Sequence, residues 1–116
     1  MITIYHNPRC KKSRTGLQAL ESFTDDFELK YYLKDHPFTI ESLTQTLEKL
    51  NKKPKQIIRK QEAVYKLEFK GKEFSDKEWV KILVKNPKLI QRPIIIKDNS
   101  AVIGDPTENV ELLFKK

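Results

Sequence analysis

Apolar and polar positions change their period several times along this 116-residue chain. Residues 2–5, Ile-Thr-Ile-Tyr, alternate in a β-rich run and predict a first strand. His6-Asn7-Pro8-Arg9 reads as a loop, because proline disfavours helix at the residue before it and Asn-Pro marks a turn. From Cys10 the period becomes helical. Leu17, Leu20 and Phe23 fall on one stripe and predict a helix over about 11–22. Phe27, Leu29, Tyr31 and Leu33 then alternate with Glu28, Lys30, Tyr32 and Lys34, as in a second strand with one buried face.

The middle of the chain reads as helical. Thr39 is a good N-cap, followed by Ile40, Leu43, Leu47 and Leu50 at helical spacing. Pro54 suits the first turn of another helix, which would carry Ile57, Ile58, Val64 and Leu67 until Lys70-Gly71-Lys72 breaks it. Ser75-Asp76-Lys77-Glu78 is a capping box that opens a helix with Trp79, Ile82 and Leu83 inward. Asn86-Pro87 ends that helix. The last third returns to strand: Pro93–Lys97, a turn at Asp98-Asn99-Ser100, and a return strand at Ala101-Val102-Ile103. Asp105-Pro106-Thr107 then opens a terminal helix through Val110, Leu113 and Phe114.

The order is β-α-β, a helical stretch, then β-β-α. A βαβ unit pairs its strands in parallel through a right-handed crossover, and a ββα unit adds a hairpin to the same sheet. The expected fold class is α/β: a thioredoxin-like fold with a four-stranded mixed sheet. The expected organisation is one domain over 1–116, with a helical insert over about 38–88.

Composition narrows the function classes. A single cysteine cannot form an intrachain disulfide, and no Cys/His cluster has zinc-ligand spacing. Ile94-Ile95-Ile96 is the longest apolar run, far too short for a bilayer. The start of the chain lacks a basic segment followed by a long apolar one, so a cytoplasmic protein is expected, with no membrane contact. Lys and Arg number 23 against 16 Asp and Glu, a formal net charge of +7. The lysines are scattered and do not interleave with aromatics as a single-strand platform would. No recognition helix is evident, so direct nucleic-acid binding is not expected.

The candidate chemistry centres on Cys10, at the junction of the first strand and first helix. A helix N-terminus presents unpaired N–H groups and partial positive charge. Arg9, Lys11, Lys12 and Arg14 surround it in sequence. Cysteines in such settings fall from a pKa of about 8.5 to about 3.5–7.5, and the thiolate is the nucleophile. A small buried cysteine is the alternative, and its polar neighbours argue against it. His6 reads either as a proton or electrostatic partner or as a capped surface residue. Ser13 is placed to hydrogen-bond the sulfur, although a plain first-turn residue is the simpler reading. Arg92 precedes Pro93, which is typically cis in a thioredoxin-like sheet and approaches the thiol. An arginine there could fork two N–H bonds onto an oxyanion. Arg59 lies beside Ile57 and Ile58 on the predicted insert helix. Both arginines are also readable as surface charges.

Three segments together resemble a known family. Ile4-Tyr5-His6-Asn7-Pro8-Arg9-Cys10 with Ser13-Arg14 is similar to the opening of the glutaredoxin-coupled arsenate reductases. Ile58-Arg59-Lys60 is similar to their central arginine motif. Asn86–Ile94, with Leu89-Ile90-Gln91-Arg92-Pro93-Ile94, resembles their Arg-Pro-Ile segment. The resemblance implies that Cys10 attacks arsenate, that His6 lowers its pKa, and that Arg59 and Arg92 bind the oxyanion. Ser13 and Arg14 complete the expected substrate-binding set. It also implies no bound cofactor; glutathione and then glutaredoxin resolve the arsenylated cysteine, so one protein cysteine suffices. Family members usually carry arginine before the proline that follows the last hairpin, where this chain has Asp105. An inward-pointing carboxylate would oppose an arsenate charge by about 1–4 kcal/mol at 4 Å. Glutathione mixed disulfides are therefore an alternative substrate. The same superfamily includes the Spx-type regulators that bind RNA polymerase. Those commonly carry Cys-x-x-Cys, whereas Cys10-Lys11-Lys12-Ser13 has no second thiol.

Overall fold

The computed structural model describes residues 1–35 and 37–115; Lys116, in the last basic pair, lies outside them. The chain forms two compact units, Met1–Pro37 with Arg92–Lys116, and Phe38–Gln91. No helix among the described residues is long and apolar enough to cross a membrane.

The first unit holds a four-stranded sheet in the order β2-β1-β3-β4. Its strands are β1 (Ile2–His6), β2 (Glu28–Tyr31), β3 (Ile94–Lys97) and β4 (Ser100–Ile103). β1 runs parallel to β2 and antiparallel to β3, and β3 runs antiparallel to β4. Parallel neighbours need a crossover, and α1 (Lys11–Glu21) supplies it. This is the thioredoxin-like arrangement that the order of elements predicts. The alternation of β1 sends Ile2 and Ile4 to one face, where they join Leu20, Ile95, Val110 and Leu113 in a buried core. Val110 belongs to the short terminal helix α4 (Glu108–Leu112).

Several expected positions differ. His6 is the last residue of β1 rather than part of the loop. α1 ends at Glu21, so Phe23 leaves the helical stripe; it is exposed and stacks on Phe114 at 4.7 Å between centroids. The buried face of α1 is instead Ser13, Gly16 and Leu20. β2 stops at Tyr31, where Lys34 and Asp35 N–H groups donate to the Tyr31 carbonyl in a turn. The turn ends the alternation, so Tyr32 is only 1% exposed and Leu33 faces solvent. Ser100 joins β4, which leaves a two-residue turn with Asp98 at φ 56°.

α1 lies very close to the β3 end of the sheet. A Cβ at Gly16 would fall on the Pro93 ring and within 3.0 Å of the Gly104 carbonyl oxygen. Only glycine permits that approach. Gly104 N–H in turn donates to the Pro93 carbonyl at 2.8 Å. The helix, the proline loop and the segment after β4 are thereby locked together beside the end of β1.

The second unit contains α2 (Ile40–Leu50) and α3 (Asp76–Lys85), both with the predicted N-caps. At Thr39 the Oγ1 accepts from Ser42 N–H at 3.0 Å while Ser42 Oγ accepts from Thr39 N–H at 2.9 Å. Ser75 and Glu78 form the same reciprocal pair. Ile40 nonetheless faces solvent, and Val80 rather than Ile82 is buried on α3. The helix expected from Pro54 is absent. A 3-10 turn covers Pro54–Ile57. Ile58 is then extended and bridges Ile90, with Arg59 N–H donating to Leu89 C=O at 2.7 Å and Gln91 N–H to Ile57 C=O at 2.9 Å. Ile57, the last residue of the 3-10 turn, and Ile58, in the extended bridge, are both buried. Tyr65–Phe69 forms one wide π-helical turn, closed by Lys70 N–H on Tyr65 C=O at 2.8 Å, and leaves Leu67 84% exposed.

The close approach at Gly16 yields a direct test. Gly16→Ala should lower unfolding stability by about 1–3 kcal/mol, the usual cost of overpacking a rigid contact. The readout is the urea midpoint at constant slope. An unchanged midpoint would show that Pro93 and Gly104 yield without cost.

Candidate active site

Cys10 stands at the N-cap of α1 with extended backbone angles, φ −99° and ψ 122°. Its own N–H donates to Asn7 C=O at 3.1 Å, and its carbonyl accepts the Arg14 N–H at 3.0 Å. The loop before it is held from both sides. Arg9 N–H donates to Asn7 Oδ1 at 3.1 Å, and Arg14 Nη1 donates to Pro8 C=O at 2.9 Å. Arg14 is therefore exposed and engaged with the loop backbone.

The first turn of α1 is unlike those of the other α-helices among the described residues. α2, α3 and α4 each carry acids there, which complement the positive end of the helix dipole. α1 carries none and instead has Lys11, Lys12 and Arg14. Cations at that end are unfavourable by themselves, so the turn suits an anion. Ionisation of the Cys10 thiol would supply one. The thiol makes no formed cap hydrogen bond, but the N–H groups of Lys12 and Ser13 lie close enough to favour its charged form. Burial pushes the Cys10 thiol up. The Ser13 N–H, the hydrogen bond and charge of Arg92, and the Lys12 N–H outweigh it, so the pKa falls below the ordinary thiol value.

Arg92 reaches this thiol from the other side of the chain sequence, immediately before Pro93 and β3. It is only 8% exposed, and its Nη1 donates to Tyr32 Oη at 3.3 Å. Burial works against its charge, while Tyr32 and Cys10 favour it and prevail. The Arg92–Pro93 bond is cis, as a thioredoxin-like loop implies, and so is Asp105–Pro106. The hydrogen bond to Tyr32 holds Arg92 beside Cys10.

His6 and Ser13 form a second layer. His6 is 3% exposed, and its Nδ1 lies 2.7 Å from Ser13 Oγ. Ser13, fully buried, also accepts the Asn7 N–H at 3.0 Å. Its hydroxyl therefore serves His6 and the loop, and its backbone N–H faces the sulfur. Burial lowers the His6 pKa; the Ser13 backbone and the Glu21 charge oppose this, and Arg14 adds to it. The ring is neutral at pH 7. Its hydrogen bond runs to Ser13, so its hold on the thiol passes through the loop.

Arg59 belongs to the second unit. It follows the extended Ile58 instead of lying on a helix, and Glu62 engages its Nε at 3.3 Å and Nη2 at 3.2 Å. Asp105 pairs with Lys12, Nζ to Oδ2, at 3.4 Å. Tyr32, the partner of Arg92, falls in the alternation with Glu28, Lys30 and Lys34, and no sequence signal marks it as buried. The glycine at position 16 also gave no signal, since its need arises from Pro93 and Gly104.

Comparison with known proteins places this geometry in context. Residues 5–113 match the model of the ArsC family. An arsenate reductase of Neisseria meningitidis is 32% identical over 115 residues, covering 97% of each chain. A protein from the glnII region of Streptomyces viridochromogenes is 39% identical over 113 residues, covering 92% of this chain and 93% of that one. The solved structure of an arsenate reductase from Vibrio cholerae superposes with a TM-score of 0.88 at 32% identity, covering 97% of this chain and 96% of that one.

The neutral, buried His6 has a consequence for pH. Its folded pKa lies below the unfolded value of about 6.5, so the unfolded chain binds more protons as pH falls. Its contribution to stability is complete above about pH 6.5 and is lost below it, with a slope of at most about 1.4 kcal/mol per pH unit. His6→Asn should flatten the fall in melting temperature between pH 7.5 and 5. An identical fall in both proteins would place the acid sensitivity elsewhere.

Proposed function

The chain belongs to the ArsC family, and from that premise we propose that it is a thiol-dependent reductase whose nucleophile is the Cys10 thiolate. The observation that carries the reading is the convergence of the Lys12 and Ser13 N–H groups and the Arg92 guanidinium on one sulfur. A thiol held this way is a ready nucleophile, because these donors favour its charged form and it is half-buried rather than sealed from solvent. Arg92 has a second use. Its planar donors suit an anionic oxygen on the electrophile, and it sits next to the sulfur that attacks.

In this reading the electrophile is arsenate or a related oxyanion. The thiolate displaces an oxygen as water and forms a Cys10–arsenic bond. A glutathione thiol replaces a second arsenic oxygen, which leaves as water. The glutaredoxin thiolate then attacks the glutathione sulfur, so that arsenic(V) takes two electrons to become arsenic(III) as the glutaredoxin–glutathione disulfide forms. Water breaks the Cys10–arsenic bond and releases arsenite and the Cys10 thiol. His6 and Ser13 are positioning residues that fix the loop and the helix turn presenting the sulfur. The site acts inside the cytoplasm, where glutathione keeps Cys10 reduced.

The test is arsenate-dependent oxidation of NADPH, coupled through glutathione, glutaredoxin and glutathione reductase. Wild type should turn over and Cys10→Ser should not. Arg92→Ala should raise KM about tenfold or more, since a charge-assisted hydrogen bond contributes about 1.5–3 kcal/mol. Turnover retained by Cys10→Ser would remove the nucleophile from the account. A melting temperature lowered in Arg92→Ala with unchanged kinetics would make Arg92 structural.

A further inference from the structure

The second unit holds a cavity that the Cys10 chemistry does not use. α2, the first half of α3 and the Pro54–Ile57 turn enclose an open-topped trough of about 760 Å³. That volume lies in the usual range for small-molecule sites, about 300–1,000 Å³. All of its lining residues belong to Phe38–Gln91.

The floor of the trough is apolar. Leu47, Pro54 and Val80 are buried there, and Ile40 joins them although it is 46% exposed. Ile40 and Leu47 lie two turns apart on one face of α2, and Asn51 ends the same stripe. Ile40 thus continues an apolar face that the fold leaves uncovered. The rim is cationic. Lys52 and Lys53 follow the end of α2, and Lys77 and Lys81 lie on α3. Glu48 and Asp76 are the acids beside them. None of these six makes an ion pair among the described residues, although Lys81 faces the exposed Glu78 on its own helix. Four cations against two acids leave the trough positive.

Polarity therefore runs lengthwise. Ile40 opens α2, and the Lys52–Lys53 pair lies past Asn51, about 16 Å further along at the rise of an α-helix. A partner helix of that length, with its side chains, fills roughly 1,300 Å³, more than the trough holds. Glu48 and Asp76 also disfavour a ligand with negative charge along its whole length, such as an acidic helix. One extended chain with a single anionic head fits both the volume and the polarity.

We propose that this trough binds a linear amphiphilic carboxylate, a medium-chain acyl anion. Its tail lies on Ile40, Leu47, Pro54 and Val80, and its carboxylate meets Lys52 and Lys53. Covering Ile40 removes apolar surface from water. The two ammonium groups give the head charge-assisted hydrogen bonds. The site does not depend on the reaction at Cys10.

The experiment titrates decanoate into the full chain by calorimetry, below the concentration at which decanoate forms micelles. Decanol, with the same tail and no charge, and acetate, with no tail, run alongside. Wild type should bind one decanoate, bind decanol about fivefold more weakly, and give no signal with acetate. Ile40→Asp should weaken decanoate about tenfold or more by setting a charge against the tail. An aspartate at the first position of α2 suits the helix dipole, so the variant should fold, which circular dichroism checks. Lys52→Gln combined with Lys53→Gln should keep decanol binding and remove the preference for decanoate. Absence of saturable one-to-one binding by wild type overturns the proposal, as does decanol binding as tightly as decanoate. Decanoate binding unchanged in both variants places the ligand elsewhere and also overturns it. Sedimentation supplies the last check: a wild-type dimer, formed without decanoate and dissociated by Ile40→Asp, assigns the trough to a second copy of the chain instead.

Discussion

A sulfur anion partly withdrawn from water is stable only where donors are already in place to meet it. At Cys10 these donors come from two distant parts of the chain. The Lys12 and Ser13 N–H groups come with the first turn of α1, and Arg92 comes with the loop before β3. Local sequence provides the first set, and only the sheet provides the second. β1 lies between β2 and β3 in the sheet, so its end is where the crossover helix and the proline loop meet.

Much of the first unit can be understood as what keeps that meeting fixed. Gly16 lets α1 approach Pro93, and Gly104 ties the proline loop to the end of β4. Tyr32, turned inward where β2 ends, gives the Arg92 guanidinium an oxygen to bond. His6 and Ser13 do the same for the loop that carries Cys10, at no cost in charge because the histidine is neutral. An arginine that is 8% exposed and a histidine that is 3% exposed are both expensive to bury, and each is met by a specific partner.

The sequence was most legible where the signal was local. Thr39 and Ser75 mark their helices because a cap acts within three residues. The alternation of residues 2–5 marks β1, and Cys10 is visible because proline before it and helix period after it place it at a helix start. Legibility failed where tertiary partners decide. Ile58 and Arg59 leave the helical pattern because Leu89 and Ile90 offer backbone partners some thirty residues away. Tyr32 and Phe23 leave their expected places because β2 ends three residues early and α1 one residue early, which periodicity does not register. Ser13 was seen as a possible partner of the sulfur through its hydroxyl, whereas its backbone does that work. Asp105 was visible as a carboxylate, but its pairing with Lys12 required the fold.

The account stands on Cys10 being a thiolate held by Arg92 and the α1 N-terminus. The most direct measurement is the ultraviolet absorbance of the thiolate titrated against pH in wild type and in Arg92→Met, with circular dichroism to show that both are folded. Wild type should titrate with a midpoint clearly below the free-cysteine value of about 8.5, and Arg92→Met should shift it upward. A wild-type midpoint at or above that value, unmoved by the substitution, would contradict the account.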